Sequence, residues 1–304
     1  MKVFLTPRVL LALIVALLFW ASAFAGIRAA LASYSPGHLA IVRFLVASAV
    51  LAVYAAVSNF RRLELRDIPG FALTGFLGIT FYNLALNYGE TTVPAGTASL
   101  LISLTPVWAA IFASFLLHER FTLWGWAGIA LSFSGAAVIA IGEGGGVRLS
   151  PHALLILASS LTSGIYLVQQ KRYLDRYRPL EFTAYSIWFG TLLMMPFSGG
   201  LLHTVAMAPW QGTLAVVYLG IFPGALSYMT WAYVLSHAPA SRTAAMLYLI
   251  PAMAILIAWI WLGEVPRLLS LLGGLLAVAG VVVVNTLGHT PSTGPVLAGV
   301  EPQG

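Results

Sequence analysis

Apolar runs of about 20 residues recur along the chain, each long enough to cross ~30 Å of hydrocarbon at 1.5 Å per residue. The first half holds them at roughly 9–31, 37–57, 68–88, 94–117 and 122–142, and the second at roughly 152–170, 180–198, 210–235, 240–262 and 268–287. Ten helices are predicted, and the period-two alternation that a transmembrane barrel requires is missing. Polar side chains interrupt the runs in stripes: Thr80, Asn83 and Asn87 on the third, Ser99 and Ser103 on the fourth, Ser159, Thr162 or Ser163 and Tyr166 on the sixth. Residues three or four apart share a helix face, so these stripes predict faces turned inward from lipid.

The second half repeats the first. At an offset of 145, Pro94 falls on Pro239, Pro106 on Pro251, Glu119 on Glu264, Gly128 on Gly273 and Gly135 on Gly280. A two-residue gap near the third segment joins this register to one of 143, in which Pro36 falls on Pro179 and Arg28 on Lys171. Five spans per half is an odd number, so the second half enters the membrane in the opposite sense. The predicted fold class is all-α integral membrane, with ten transmembrane helices in two inverted five-helix repeats. The expected boundaries are 1–143 for the first repeat, 144–287 for the second and 288–304 for a disordered cytoplasmic tail. The run Gly142 to Gly146 lacks the Gly-Lys-Ser/Thr ending of a phosphate loop and reads as the linker between repeats.

Composition agrees: 60 % of the 304 residues are hydrophobic and 8 % charged, too few charges to cover a water-soluble domain. Lys2, Arg8, Arg61, Arg62, Arg66, Arg120, Lys171, Arg172, Arg176, Arg178 and Arg242 gather on one face, against Arg28, Arg148 and Arg267 on the other. This positive-inside bias places both termini in the cytoplasm and accounts for the net charge of +6 without a nucleic-acid partner. Lys2, Arg8 and Ala23-Phe24-Ala25 imitate a cleaved signal, but removing the first span would break the repeat, so it is expected to stay. The absence of cysteine excludes disulfides and thiolate metal sites, and short loops leave no room for a catalytic or nucleotide-binding domain.

The nine acidic residues, Glu90, Glu119 and Glu264 among them, and the six histidines all fall at helix ends or in loops. A coupling carboxylate at mid-membrane is therefore not expected, which favours an uncoupled facilitator over proton-driven efflux of cations. Glu90 and Glu119 remain positions that could titrate near a cavity mouth. Arg43 is the clearest embedded charge, costing ~2.5–3.5 kcal/mol to insert. It reads either as a two-pronged anchor for a substrate carboxylate or as a tie to backbone carbonyls that snorkels outward. Trp20, Tyr82, Tyr185, Trp188, Tyr228, Trp231 and Tyr248 lie at comparable depth and would suit an amphipathic molecule with a flat apolar part. Pro106 and Pro251 are expected to bend their helices, as hinges or as fixed curves. Gly128, Ser132 and Ala136, with Gly273, Ala277 and Gly280, predict close packing of the fifth and tenth helices, against each other or against a second copy.

With Trp20-Ala21-Ser22-Ala23-Phe24, Arg43-Phe44, Pro106, Glu119-Arg120 and the copy from Pro251 to Glu264, residues 8–287 resemble the EamA-type branch of the drug/metabolite transporter superfamily. Within it the chain is similar to bacterial aromatic-amino-acid exporters. That resemblance implies an inner-membrane exporter of aromatic and other neutral amino acids working by alternating access. It places substrate on Trp20, Ser22, Tyr82, Ser99, Ser227 and Tyr248, to which the stripes and aromatics add Arg43, Asn83, Ser103, Tyr166, Trp188 and Tyr228. No cofactor, metal or catalytic residue is expected. The expected partners are the bilayer and a small-molecule substrate, an amino acid or similar metabolite. The oligomeric state is open, with a monomer compatible. Proton-coupled drug or metabolite efflux is the main alternative. An intramembrane hydrolase is remote, because its serine would need a base within reach and the histidines sit at helix ends. A scaffold protein would not need inward polar stripes.

Overall fold

Several helix starts are written as a polar residue followed by proline. Proline at the first helical position costs no hydrogen bond, and the preceding side chain can accept from an N–H of the first turn. Thr6 does this for α1 (Pro7–Leu31), its hydroxyl accepting from the Val9 N–H at 3.4 Å. Ser35 does it for α2 (Pro36–Val57) and Ser150 for α6 (Pro151–Lys171). At α7 (Pro179–Leu193) the Glu181 carboxylate folds back to accept from the Arg178 N–H at 2.8 Å and also takes the Arg61 N–H at 3.0 Å.

The structure is a computed structural model and describes residues 6–117, 122–143, 150–237 and 246–287. Glu119, Arg120, Arg148, Arg242, most of the glycine linker and the tail lie outside the described residues. All the described elements are helical. The remaining spans are α3 (Leu65–Gly89), α4 (Ala95–Ile102 and Thr105–Leu117), α5 (Leu123–Glu143), α8 (Trp210–Ile221 continuing to His237), α9 (Leu247–Leu262) and α10 (Leu268–Leu287). Among the described residues seven helices, α1 to α6 and α8, are long and apolar enough to cross a bilayer, and α9 and α10 are shorter apolar helices. The seventh span ends at Leu193, short of the expected residue 198. Pro196 sits in a 3-10 turn, Met195–Ser198, and a short exposed helix, Leu201–Met207, follows Gly200, which adopts φ 75°.

Pro106 and Pro251 do more than bend their helices. Proline removes one donor and its ring crowds the carbonyl four residues back, and here α4 stops at Ile102 and restarts at Thr105. The Leu104 carbonyl accepts from both the Val107 and Trp108 N–H groups, at 2.9 and 3.2 Å. In α9 a 3-10 turn, Leu247–Leu249, precedes the helix that Pro251 opens.

A second irregularity carried no sequence signal. Residues Phe76–Phe81 of α3 and Phe222–Leu226 of α8 form π-helical turns. The offset of 145 maps 77–81 onto 222–226, so the two halves bulge at the same place. Such bulges concentrate at functional sites, since the extra residue re-aims everything beyond it.

Helices α5 and α10 pack on each other. A side chain at Gly128 would meet the Gly280 carbonyl at 2.8 Å, and one at Gly273 would meet the Gly135 carbonyl at 2.7 Å. Gly128 and Gly273 are equivalent, as are Gly135 and Gly280, so each contact is the symmetry mate of the other. Ser132 and Ala277 are equivalent too, and the Ser132 hydroxyl donates to the Ala277 carbonyl at 3.2 Å. The pseudo-two-fold axis passes between them. The largest apolar core, with Phe24, Ile27, Leu39, Leu101, Leu104, Ile139 and Leu219, joins helices of both halves.

Polar belts close both ends of the bundle. At one end the Arg28 Nε donates to Glu264 at 2.9 Å, and its Nη1 donates to the carbonyls of Glu90 (2.6 Å) and Thr91 (3.1 Å). The other Glu264 oxygen accepts from the Ala95 N–H at 3.0 Å. At the opposite end Arg176 pairs with Asp67 at 2.8 Å, and the Tyr177 hydroxyl donates to the same oxygen at 2.8 Å. Arg61 there reaches the Arg176 carbonyl at 2.6 Å. Each belt ties the first repeat to the second.

Candidate substrate site

Arg43 lies on α2 with 7 % of its surface exposed, and its Nε and Nη1 have no hydrogen-bond partner in the protein. It therefore neither snorkels nor ties α2 to a carbonyl through those atoms. Its guanidinium sits 5.2 Å from the centre of the Phe44 ring, a contact that compensates a small part of the desolvation. Gly220 makes the position possible, because a side chain there would meet the Arg43 carbonyl at 2.6 Å. The close approach of α8 sets Arg43 beside the α8 bulge. Tyr228, Tyr82 and Glu90 are the groups within electrostatic range of the guanidinium.

Tyr82 and Asn83 follow the α3 bulge, and their repeat equivalents, Ser227 and Tyr228, follow the α8 bulge. The irregular turns thus precede four of the expected residues, and two of them, Tyr82 and Tyr228, come within electrostatic range of Arg43 and of each other. Tyr228 stacks edge-on to Trp20 at 5.4 Å, and Trp231 lies 5.4 Å from the same indole. The Ser227 hydroxyl is fully buried without a partner. Ser159 of α6 donates to the Tyr82 carbonyl at 2.6 Å, fixing the end of the bulge. Tyr166 is buried against Phe182, 5.4 Å between rings, and lies within electrostatic range of Tyr228.

Other expected residues are engaged elsewhere. Ser99 and Ser103 donate to the carbonyls of Gly96 and Leu100 on their own helix, both at 2.6 Å. Thr162 does the same to Ser159 at 3.0 Å. Part of each polar stripe is thus satisfied locally, a use of hydroxyls that the spacing pattern does not separate from an inward-facing one. Ser22 shares a 2.5 Å hydrogen bond with Tyr218, a partner that sequence reasoning missed. Trp188 belongs to a separate aromatic group with Tyr185 (5.3 Å) and Phe60 (6.0 Å), and donates to the Ser48 carbonyl at 3.2 Å. Tyr248 packs on the Val107, Ile129 and Val284 cluster. A cavity of about 430 Å³ opens at the basic end, lined by Asn59, Phe60, Arg61, Arg176, Arg178 and Glu181, away from Arg43.

Glu90 was expected at a helix end, and it does cap α3, but it is fully buried. Its backbone carbonyl is held by Arg28 while both carboxylate oxygens lack a partner. Its place at a helix end is as expected, but that place does not keep the carboxylate in water. Burial at a cap comes from the Arg28 and Glu264 belt that folds over it, a tertiary arrangement that helix position alone does not reveal.

That belt yields a prediction. Because the chain has no cysteine, a single Asn83→Cys substitution reports access from that end. Combining it with Arg28→Ala removes three hydrogen bonds and should speed labelling by a water-soluble thiol reagent about fivefold or more. An unchanged rate would show that Arg28 does not close this face.

Two segments, residues 7–141 and 150–286, match the EamA-like transporter family. A probable terminal-alkyne amino-acid exporter of Streptantibioticus cattleyicolor is 42 % identical over 280 residues, covering 91 % of this chain and 94 % of that protein. An uncharacterized transporter of Bacillus subtilis, YdfC, is 42 % identical over 262 residues, 86 % of each chain. One solved crystal structure superposes with a TM-score of 0.60 at 21 % identity, over 90 % of this chain and 95 % of that one, and shares the fold. The family and these relatives are transporters, not enzymes. Ten helical spans among the described residues, in two halves related by a pseudo-two-fold axis and enclosing an arginine without partners at Nε and Nη1, and these matches along nearly the whole chain lead to one assignment: the protein is a membrane transporter and belongs to the EamA-like transporter family.

Proposed function

We propose that the protein exports small amphipathic metabolites, aromatic and other neutral amino acids foremost, by alternating access as an uncoupled facilitator. The observation that carries this reading is the Arg43 guanidinium, enclosed without a hydrogen-bond partner on Nε and Nη1 and set among Phe44, Tyr82, Tyr228 and, through Tyr228, Trp20. A carboxylate supplies the acceptors that guanidinium lacks, and the rings accept a flat apolar side chain. The name borne by the Streptantibioticus relative supports an amino acid as cargo. In this reading residues 1–143 and 144–287 are the two moving repeats, the termini face the cytoplasm of a bacterial inner membrane, and the Arg28 and Arg176 belts open in turn.

The test is counterflow of labelled phenylalanine, tryptophan and threonine in proteoliposomes, with and without a pH gradient. Exchange driven only by internal unlabelled substrate, indifferent to the gradient and strongest for the aromatic pair, is expected. The buried Glu90 carboxylate favours one second reading, proton-coupled efflux, and accumulation that follows the gradient would establish it in place of the facilitator. No exchange of any amino acid would overturn the cargo assignment.

A further inference from the structure

One face of α3 carries a column of acceptors with nothing to accept. Asn83, Asn87 and Glu90 are spaced four and three residues apart, which places them on one side of the helix. They are 2, 0 and 0 % exposed. The Asn83 amide NH₂ donates to the Ile79 carbonyl at 2.8 Å and the Asn87 NH₂ to the Pro36 carbonyl at 3.1 Å. Carbonyls only accept, so both amides are oriented without ambiguity and their Oδ1 atoms are the free ends. Asn83 Oδ1, Asn87 Oδ1 and both Glu90 carboxylate oxygens have no partner. Four enclosed acceptors without a donor are costly and rare in a folded protein.

Glu90 also lies within electrostatic range of Arg28, Glu264 and Arg43. Arg28 is committed to Glu264 and to two backbone carbonyls, so it offers the Glu90 side chain charge without a hydrogen bond. Arg43 is unpaired in the same way, with donors in place of acceptors. The interior thus presents an orphaned guanidinium and an orphaned acceptor column close enough to interact. An ammonium group carries three donors and a positive charge, and suits adjacent members of the column, Asn87 with Glu90 or Asn83 with Asn87, since a single nitrogen does not span the ~10 Å from Asn83 to Glu90. A carboxylate fits the guanidinium. A molecule bearing both adds no net charge to an enclosed site, whereas an amine or an acid alone would.

We propose that Asn83, Asn87 and Glu90 form an ammonium subsite, so that with Arg43 the transporter recognises its cargo as a zwitterion. This rests on the amino-acid reading above. It makes Glu90 a substrate-binding residue and predicts that the free amino group is read as stringently as the carboxylate. Arg28 holds the Glu90 backbone and not its side chain, so Glu90→Gln leaves the belt in place.

The test compares phenylalanine, phenethylamine and 3-phenylpropanoate by thermal stabilisation of detergent-purified protein and by inhibition of phenylalanine counterflow. Glu90→Gln should weaken phenylalanine and phenethylamine about tenfold or more while 3-phenylpropanoate changes less than about twofold. Arg43→Gln should show the opposite selectivity. Asn87→Ser, a milder change, should lower the response to amines in the same direction if Glu90→Gln proves unstable. Equal loss for amine and acid, or no loss, would overturn the subsite. So would sodium-dependent binding with no preference for amines, which would make the column a cation site, or loss of a pH-gradient response with amine selectivity intact, which would make Glu90 a proton site. If the wild type carries no phenylalanine the export reading fails by itself, and the Glu90 dependence of phenethylamine stabilisation still decides the subsite.

Discussion

Arg43→Met is expected to reduce phenylalanine counterflow by about 100-fold or more and at the same time to raise the thermal stability of the protein. The two effects have one origin. In the absence of substrate the guanidinium is desolvated and unpaired at Nε and Nη1, with only the Phe44 ring beneath it, and holding such a charge among apolar helices costs ~2.5–3.5 kcal/mol on insertion scales. Methionine replaces the aliphatic stem of the arginine without its charged head and removes that cost. With substrate bound the charge would have its partner, and truncating one side of an enclosed, hydrogen-bonded charge pair typically costs about 2–5 kcal/mol of binding. A residue kept at the expense of stability is a residue kept for function. Were Arg43 a structural tie, Met would lower transport and melting temperature together. The measurement is a melting curve in detergent alongside counterflow at matched protein density, and a fall in both would refute the anchor.

Gly135→Val is expected to destroy the fold itself. A Cβ at Gly135 would fall well inside contact distance of the Ala277 backbone nitrogen and the Gly273 carbonyl oxygen. Both obstacles are backbone, so no rotamer change relieves the clash and α5 must separate from α10. Overpacking a core with side chains around it costs ~1–3 kcal/mol, and a backbone obstacle should reach about 3 kcal/mol or more. The clash also falls on the contact that the symmetry repeats at Gly128 and Gly280, where a carbonyl lies 2.8 Å from the would-be Cβ of Gly128. Ala137→Val, on the exposed face of the same helix, should be silent. The comparison is the yield of monodisperse protein after size exclusion, and recovery of Gly135→Val at wild-type yield would show that the helices do not pack this closely.

How far the sequence could be read depended on whether a feature is periodic or tertiary. Spans, repeat and the α5 and α10 glycines are periodic, and the structure follows them, choosing packing of the two helices on each other. Arg43 stood out because a charge in an apolar run is conspicuous. The π turns at Phe76–Phe81 and Phe222–Leu226 were not legible, since a one-residue change in helix phase leaves the apolar run intact. The hydroxyls of Ser99 and Ser103 donate to their own helix, a local use that the spacing of the stripe does not reveal. Glu90 was read as a helix-end acid, and its enclosure depends on Arg28 and Glu264, which lie 62 positions before it and 174 after it in the chain.

The α5 and α10 contact has a mechanical consequence. Its spacing is set by carbonyls against glycine Cα atoms on both sides, so no side chain can flex to let the helices slide. A joint of that kind behaves as a stiff bearing. The α4 and α9 helices, each interrupted before its proline, and the bulged α3 and α8 are the compliant members of the same frame. Any change of shape is therefore resisted at the bearing and falls to α3, α4, α8 and α9, the members whose regular hydrogen-bond ladders are already interrupted.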